Sequence, residues 1–182
     1  MSYVFYPGCS LEGTAKDFHT STMAVAEALG IALPEIPGWI CCGSTAAHQT
    51  DPLLALALPA KNLAAAKGQT VAVCCAACYS RLKTANHEIV ADMKTRRQVA
   101  DAIGVDYDGR TPVLHLLEIM AREIGTKKIA ERVRRPLKGL KVAYVGDGRN
   151  NVCNSLMVGC AKVGVSATLY LATSEYSLFE GL

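Results

Sequence analysis

At 182 residues, with 51% hydrophobic and 19% charged residues and a net charge of +3, the chain has the make-up of one ordinary globular domain with room for a small appendage. A chain of this length buries about 70% of its unfolded surface and needs no disulfide staples to fold. The charge is too small and the basic residues too dispersed for a nucleic-acid partner, and the one basic cluster, Arg132, Arg134, Arg135, Lys138 and Lys141, reads as a solvated helix end.

The opening Ser2–Tyr6 is too short for a signal peptide, and Tyr3-Val4-Phe5-Tyr6 reads as a buried strand stopped by Pro7-Gly8. Cys9 follows at once. Ala15, Phe18, Thr22, Val25, Ala26 and Leu29 then recur at helical spacing up to Gly30. Ile31–Ile36 is a second strand candidate, and Pro37-Gly38-Trp39 leads into Cys41-Cys42-Gly43. Asp51-Pro52 has the form of a helix start. The Leu/Ala-rich run to Lys67 closes at Gly68, and Pro59 inside it predicts a kink or two short helices. Thr70–Val73 is a third strand, closed by Cys74 and Cys75. Cys78 opens a long helix through Leu82, Ile89 and Val90 that breaks before Gly104. Thr111-Pro112 predicts a further helix with Val113, Leu117, Met120 and Ile124 on one face. Leu140–Val145 is a fourth strand, followed by a Gly/Asn turn, a helix near Val152–Lys162 and a fifth strand at Ser166–Leu171. No apolar run reaches the ~18–20 residues of a membrane helix. The expectation is a cytoplasmic protein without membrane insertion, where eight cysteines ask for metal or redox chemistry rather than disulfides.

Strands alternating with helices at this spacing predict an α/β fold, a mostly parallel open sheet flanked by helices. Cys9, Cys41-Cys42 and Cys75 each follow a strand candidate or its turn. The carboxyl ends of strands in such a sheet share one edge, where ligands bind, so three loops far apart in sequence are expected to meet at one crevice. Helices starting after Cys9 and Cys78 turn their positive ends to the same place, which favours thiolates.

Thiolates select zinc, copper(I) or iron–sulfur clusters. A structural zinc wants four ligands in two paired knuckles, whereas the grouping here is one, two adjacent and one Cys-x-x-Cys pair. Side chains of adjacent Cys41 and Cys42 diverge on an extended backbone, which suits two metal atoms of one cluster better than one ion. Five cysteines exceed the four a cubane needs, which points to a distorted or cysteine-bridged cluster. A zinc-stabilised interaction domain and, for Cys75–Cys78 taken alone, a thioredoxin-like redox pair are the competing readings. An isolated cysteine is more often a small buried hydrophobe, which is the reading for Cys160. Cys74 is expected to point off the opposite face of its strand; Cys153 is left open. His48, five residues after Gly43, is a candidate proton donor. Lys83 and His87 read as a solvated helix face.

Tyr6-Pro7-Gly8-Cys9-Ser10-Leu11-Glu12-Gly13-Thr14-Ala15, Cys41-Cys42-Gly43, and Cys75-Ala76-Ala77-Cys78-Tyr79 followed by Arg81-Leu82 and Asn86-His87-Glu88 resemble the B-type subunit of CoB–CoM heterodisulfide reductase. The same cysteine-rich "CCG" domain occurs in iron–sulfur subunits of succinate, glycolate and lactate oxidoreductases. The resemblance runs from about Ser2 to Leu140. It implies that Cys9, Cys41, Cys42, Cys75 and Cys78 hold a non-cubane 4Fe–4S cluster. It further implies transfer of electrons to split the CoM-S-S-CoB disulfide of methanogenesis, with a larger flavin and iron–sulfur subunit and a small iron–sulfur subunit as partners. An electron-transfer subunit without its own catalysis is the alternative. That family carries two such domains in tandem. Here residues 1–139 read as one cysteine-rich domain and 140–182 as a strand–helix–strand extension, a truncated or chimeric second repeat. Gly146-Asp147-Gly148-Arg149-Asn150-Asn151 and Asn154-Ser155-Leu156-Met157 resemble the second domain of ornithine carbamoyltransferase, in which Asn151 would contact ornithine. The chain has no Ser-x-Arg-Thr loop for carbamoyl phosphate, so that activity is not expected.

Overall fold

A computed structural model describes residues 2–44, 46–146, 151–163 and 165–171. The chain forms two compact units, Met1–Arg132 and Val133–Leu182. In the first, β1 (Tyr3–Tyr6), β2 (Thr70–Val73) and β3 (Val113–His115) form a parallel sheet with β2 in the middle. The register pairs Tyr6 with Val73 and Val73 with His115, so the three carboxyl ends lie side by side. Helices α1 (Gly8–Glu12), α2 (Lys16–Leu29), α3 (Ala47–Thr50) and α4 (Pro52–Ala65) fill the first crossover. The second holds α5 (Ala76–Ala91) and α6 (Met93–Ile103). After β3 come a short α7 (Leu116–Glu118), a π-helical stretch (Ile119–Gly125) and α8 (Thr126–Arg132).

Side chains of a strand alternate between the faces of its sheet, and the core divides accordingly. Val4, Tyr6, Val71 and Val73 pack with Leu63, Leu82, Ile89 and Val99. Phe5, Ala72 and Cys74 pack with Leu11, Ala26, Leu116 and Ile119 on the other side. The result is an α/β sheet covered on both faces, with the cysteine loops at the carboxyl edge of its strands.

Helix ends follow local chemistry. The Asp51 carboxylate accepts from Leu53 N (2.7 Å) and Leu54 N (3.1 Å) at the start of α4, and Gly30 ends α2 at φ +73°. The helix expected to run from Cys78 to Gly104 begins two residues earlier and is broken at Asp92, whose carboxylate accepts from Lys94 N and Thr95 N and starts α6. Pro59 does not divide α4; it is buried within one continuous helix beside Ala57, Ala60 and Leu63.

Two elements differ from expectation. Ile31–Ile36 does not form a strand: Glu35 alone bridges to Phe5, and Phe5 N donates to Pro34 O. Thr111-Pro112 does not start a helix. Val113–His115 is the third strand, and Pro112 O accepts from Val71 N (2.8 Å). Proline pushes the preceding residue to extended backbone, and pairing with β2 continues that geometry.

In the second unit β4 (Lys141–Gly146) and β5 (Ser166–Leu171) pair in parallel across α9 (Asn151–Val163), as a separate two-stranded sheet. Cys153 and Cys160 are both buried there. The Gly/Asn turn at residues 147–150 and the side chain of Asn151 lie outside the described residues. No described helix is long and apolar enough to cross a membrane.

Candidate metal centre at the sheet edge

The strand register brings the cysteine loops together. Cys9 lies in the first turn of α1, next to the end of β1. Cys75 caps α5 just beyond the end of β2, and Cys78 sits in the first turn of that helix. Cys41 and Cys42 arrive on a loop that belongs to no helix or strand. Cys41 Sγ lies 3.6 Å from Cys9 Sγ, and Cys42 Sγ lies 3.4 Å from Cys78 Sγ. Cys75 Sγ accepts from Cys78 N at 3.5 Å. All five sequence-selected cysteines therefore meet, graded from exposed Cys9 through half-buried Cys41 and Cys75 to buried Cys42 and Cys78.

Two glycines make the approach possible. Gly8 has φ +73°, and a Cβ there would stand 3.1 Å from Cys78 Sγ. Gly43 has φ +72°, and a Cβ there would stand 2.7 Å from Ala47 Cβ and 2.8 Å from Leu58 Cδ1. A side chain at either position would be strained by the backbone; at Gly8 it would also crowd the sulfur, and at Gly43 it would overlap its neighbours.

The buried sulfurs share a proton unequally. The hydrogen bond from Cys78 lowers the Cys42 thiol to about 6, assisted by the backbone and hydroxyl of Ser44 and by Tyr6, while burial opposes it. Cys78 is raised, first by its hydrogen bond to Cys42 and then by burial. Burial also raises Cys41, partly offset by a hydrogen bond from Gly43 N. The pair thus holds a thiolate at Cys42, the form that binds soft metals.

The donor set fits a cluster better than one ion. Zinc at 2.3 Å from four sulfurs puts them about 3.8 Å apart. Among the described residues no three cysteine sulfurs lie within 4.8 Å of one another. Five soft thiols meeting as two close pairs, with Cys75 beside Cys78, suit a core of several metal atoms, which Cys9, Cys41, Cys42, Cys75 and Cys78 would hold. The described group that does meet the 4.8 Å limit is Glu12, His19 and Glu35. There the imidazole lies between two carboxylates, Nδ1 3.3 Å from Glu12 and Nε2 3.9 Å from Glu35, which links α1 and α2 to the segment before the cysteine doublet.

Cys74 faces the opposite core from Cys75, among Phe5 and Leu11, and burial raises its thiol. His48 is exposed on α3. Lys83 Nζ lies 6.0 Å from the centre of the Tyr79 ring, and His87 is exposed beside Glu88. Sequence reasoning missed His115. Its Nε2 donates to Cys74 O (3.0 Å), its Nδ1 accepts from Leu117 N (3.2 Å), and its ring meets Tyr79 edge-on at 5.7 Å. Both ring nitrogens are thus engaged with backbone groups. The available signal was its place at the end of a strand, hidden because that strand read as a helix.

Residues 3–83 match the family described as cysteine-rich domain, CCG, and residues 138–180 match the aspartate/ornithine carbamoyltransferase, Asp/Orn binding domain, family. The chain is 36% identical over 144 residues to the 8-methylmenaquinol:fumarate reductase membrane anchor subunit of Wolinella succinogenes, covering 78% of this chain and 50% of that one. It is 27% identical over 149 residues to a protein of Archaeoglobus profundus named for its likeness to the B-type subunit of heterodisulfide reductase, covering 79% of this chain and 50% of that one. The chain thus spans about half the length of these curated relatives. A crystal structure of a hypothetical protein from Helicobacter pylori shares the fold, with a TM-score of 0.64 and 15% identity over 93% of this chain and 33% of that one. Residues 3–83 therefore match the CCG cysteine-rich domain, in a chain similar to the B-type subunit of heterodisulfide reductase.

Proposed function

We propose that this chain is an iron–sulfur electron-transfer subunit of a heterodisulfide reductase-like oxidoreductase, with Cys9, Cys41, Cys42, Cys75 and Cys78 as ligands of a non-cubane 4Fe–4S cluster. The observation that carries the reading is the meeting of five thiols from three loops: Cys9–Cys41 at 3.6 Å and Cys42–Cys78 at 3.4 Å, with Cys75 Sγ on Cys78 N. Such a group would supply one-electron transfer. The protein's own part is to hold the thiolates and exclude water. Tyr6, Cys42 and Cys78 wall the inner side from solvent, while exposed Cys9 leaves the outer side open to a small disulfide of the CoM-S-S-CoB type. In this reading His48 is the proton donor to the departing thiolate, because it is exposed, five positions after Gly43 in the sequence, and because both nitrogens of His115 are engaged. A flavin and iron–sulfur subunit and a small iron–sulfur subunit are the proposed electron partners, and the cytoplasm the proposed compartment.

A second reading is an electron-transfer subunit that does not itself split a disulfide, as in succinate, glycolate or lactate oxidoreductases. It is favoured by the similarity to a fumarate reductase subunit. Anaerobic reconstitution with iron and sulfide tests the cluster. About four irons and four sulfides per chain and an EPR signal lost in Cys42→Ala are expected; a colourless chain with one zinc would end the account. Disulfide reduction by the reconstituted chain with an artificial donor separates the first reading from the second.

A further inference from the structure

We propose that Asn62 positions the Cys41–Cys42 doublet by gripping the peptide groups of Ile40. Ile40 immediately precedes the doublet, on a stretch with no strand or helix partner to fix its backbone. Asn62 comes from the opposite wall, α4, and is 1% exposed. Its Oδ1 accepts from Ile40 N (2.8 Å), and its Nδ2 donates to Ile40 O (3.0 Å) and to Leu58 O (3.0 Å). One side-chain amide thus offers Ile40 the donor and acceptor that a neighbouring strand would offer. Tyr6 Oη also donates to Ile40 O (2.8 Å), so that carbonyl joins α4, the end of β1 and the cysteine loop.

The arrangement has a chemical consequence. A buried amide with both Nδ2 hydrogens and its oxygen engaged has one low-energy orientation. The peptide it grips is one residue from Cys41 Sγ and two from Cys42 Sγ. Losing the grip frees the loop to slide along α4, and both sulfur pairs separate together although no ligand has changed. Asn62 is therefore a positioning residue. Its importance rests on the reading that Cys41 and Cys42 are ligands; its effect on sulfur placement does not.

The test uses the whole chain, reduced and metal-free, oxidised briefly with diamide. Diamide takes two electrons and two protons from each thiol pair and becomes the hydrazine as one S–S bond forms. In the unaltered chain Cys9–Cys41 and Cys42–Cys78 are the expected products, mapped by peptide mass spectrometry. Asn62→Asp keeps the shape and one acceptor but loses both donors, and the yield of Cys9–Cys41 should fall at least about fivefold. Thr111→Val removes a different buried bond to α4, from Thr111 Oγ1 to Leu63 O (3.2 Å), and should leave the yield unchanged. A folded Asn62→Asp that cross-links like the unaltered chain, or a Thr111→Val that loses as much, overturns the proposal. If Asn62→Asp does not fold, amide exchange in the unaltered chain decides. Protection of Ile40 N–H above about a hundredfold supports the grip and anything less refutes it. Neither readout involves iron, so a chain that takes up no cluster would end the proposed function and leave this inference standing.

Discussion

Cys42 and Cys78 hold their sulfurs 3.4 Å apart across 36 positions of sequence, and both are almost wholly buried. One stands on an irregular loop and the other in the first turn of α5. Their meeting has two supports: the parallel register sets Tyr6 beside Val73 and so brings Cys78 to the shared edge, while Tyr6 and Asn62 hold Ile40 and bring the Cys42 loop to it. Two thiols forced this close cannot both ionise in a buried setting, so one proton stays on Cys78 and stabilises the thiolate of Cys42. A metal that displaces that proton gains two soft ligands already in place.

Alkylation should report the gradient of exposure across the five thiols. In the reduced metal-free chain Cys9 is expected to react first with iodoacetamide, and Cys42 and Cys78, 1% and 3% exposed, last. After anaerobic reconstitution with iron and sulfide, the rate at Cys9 should drop at least about tenfold, since a ligated thiolate is no longer a free nucleophile. Time-resolved mass spectrometry checks both statements. Unchanged labelling of Cys9 in an iron-loaded chain would remove it from the ligand set.

Two glycines with the same backbone angle separate strain from space. Gly8 and Gly30 both have φ +73°, but a Cβ meets Cys78 Sγ at 3.1 Å in the first case and nothing within 4 Å in the second. Each change to alanine should cost about 1–2 kcal/mol for the left-handed backbone, read as a lower melting temperature. Gly8→Ala alone should also impair iron uptake, because its methyl group pushes on a ligand sulfur. Equal iron content in the two variants would refute the close approach.

Much of this was legible from short-range chemistry. Tyr3–Tyr6 and Thr70–Val73 showed as β-branched and aromatic runs, Asp51-Pro52 as a helix start and Gly30 as a stop, and each signal acts within a few residues. Cysteine spacing at strand ends carried the site, since a parallel sheet turns sequence intervals into a shared edge. Long-range partners were not legible. Val113–His115 is a strand only because β2 is there to pair with it, and three residues carry no period of their own. Asp92 divided a helix through a capping bond that competes on nearly equal terms with helix continuation. Asn62 gave no signal, and that of His115 was hidden with its strand, because what distinguishes each is a backbone group far away in sequence: Ile40 for one, Cys74 for the other.

His115 ties the ends of β2 and β3 together beside the thiols. Replacing it with alanine removes the hydrogen bond to Cys74 O and the cap at Leu117 N. The expected loss is about 1–3 kcal/mol, since a part-buried carbonyl is left without its partner, or about 3–8 °C in melting temperature. His48→Ala, at an exposed position, should leave the melting temperature within about 1 °C. If His48 is the proton donor, its loss should instead lower the rate of disulfide reduction in the reconstituted chain. The two variants are thus expected to move opposite readouts, and a reversal would exchange their roles.

Cys74 and Cys75 offer the sharpest contrast, because neighbours on one strand end face opposite sides. Cys74 lies in the core with Phe5 and Leu11, where its thiol acts as a small apolar group. Cys74→Ser buries a hydroxyl there and should cost about 1–2 kcal/mol, with iron content after reconstitution unchanged. Cys75 instead caps α5, its sulfur accepting from Cys78 N. Serine is the better cap for a helix, so Cys75→Ser should leave the metal-free melting temperature equal or slightly higher. A serine oxygen is a poor substitute for a soft thiolate, however, and the same variant should hold its iron weakly and lose it on gel filtration. Calorimetry of the metal-free chains and iron analysis of the reconstituted ones measure the two effects separately. Loss of iron in Cys74→Ser with retention in Cys75→Ser would mean that the wrong cysteine of the pair has been assigned to the cluster.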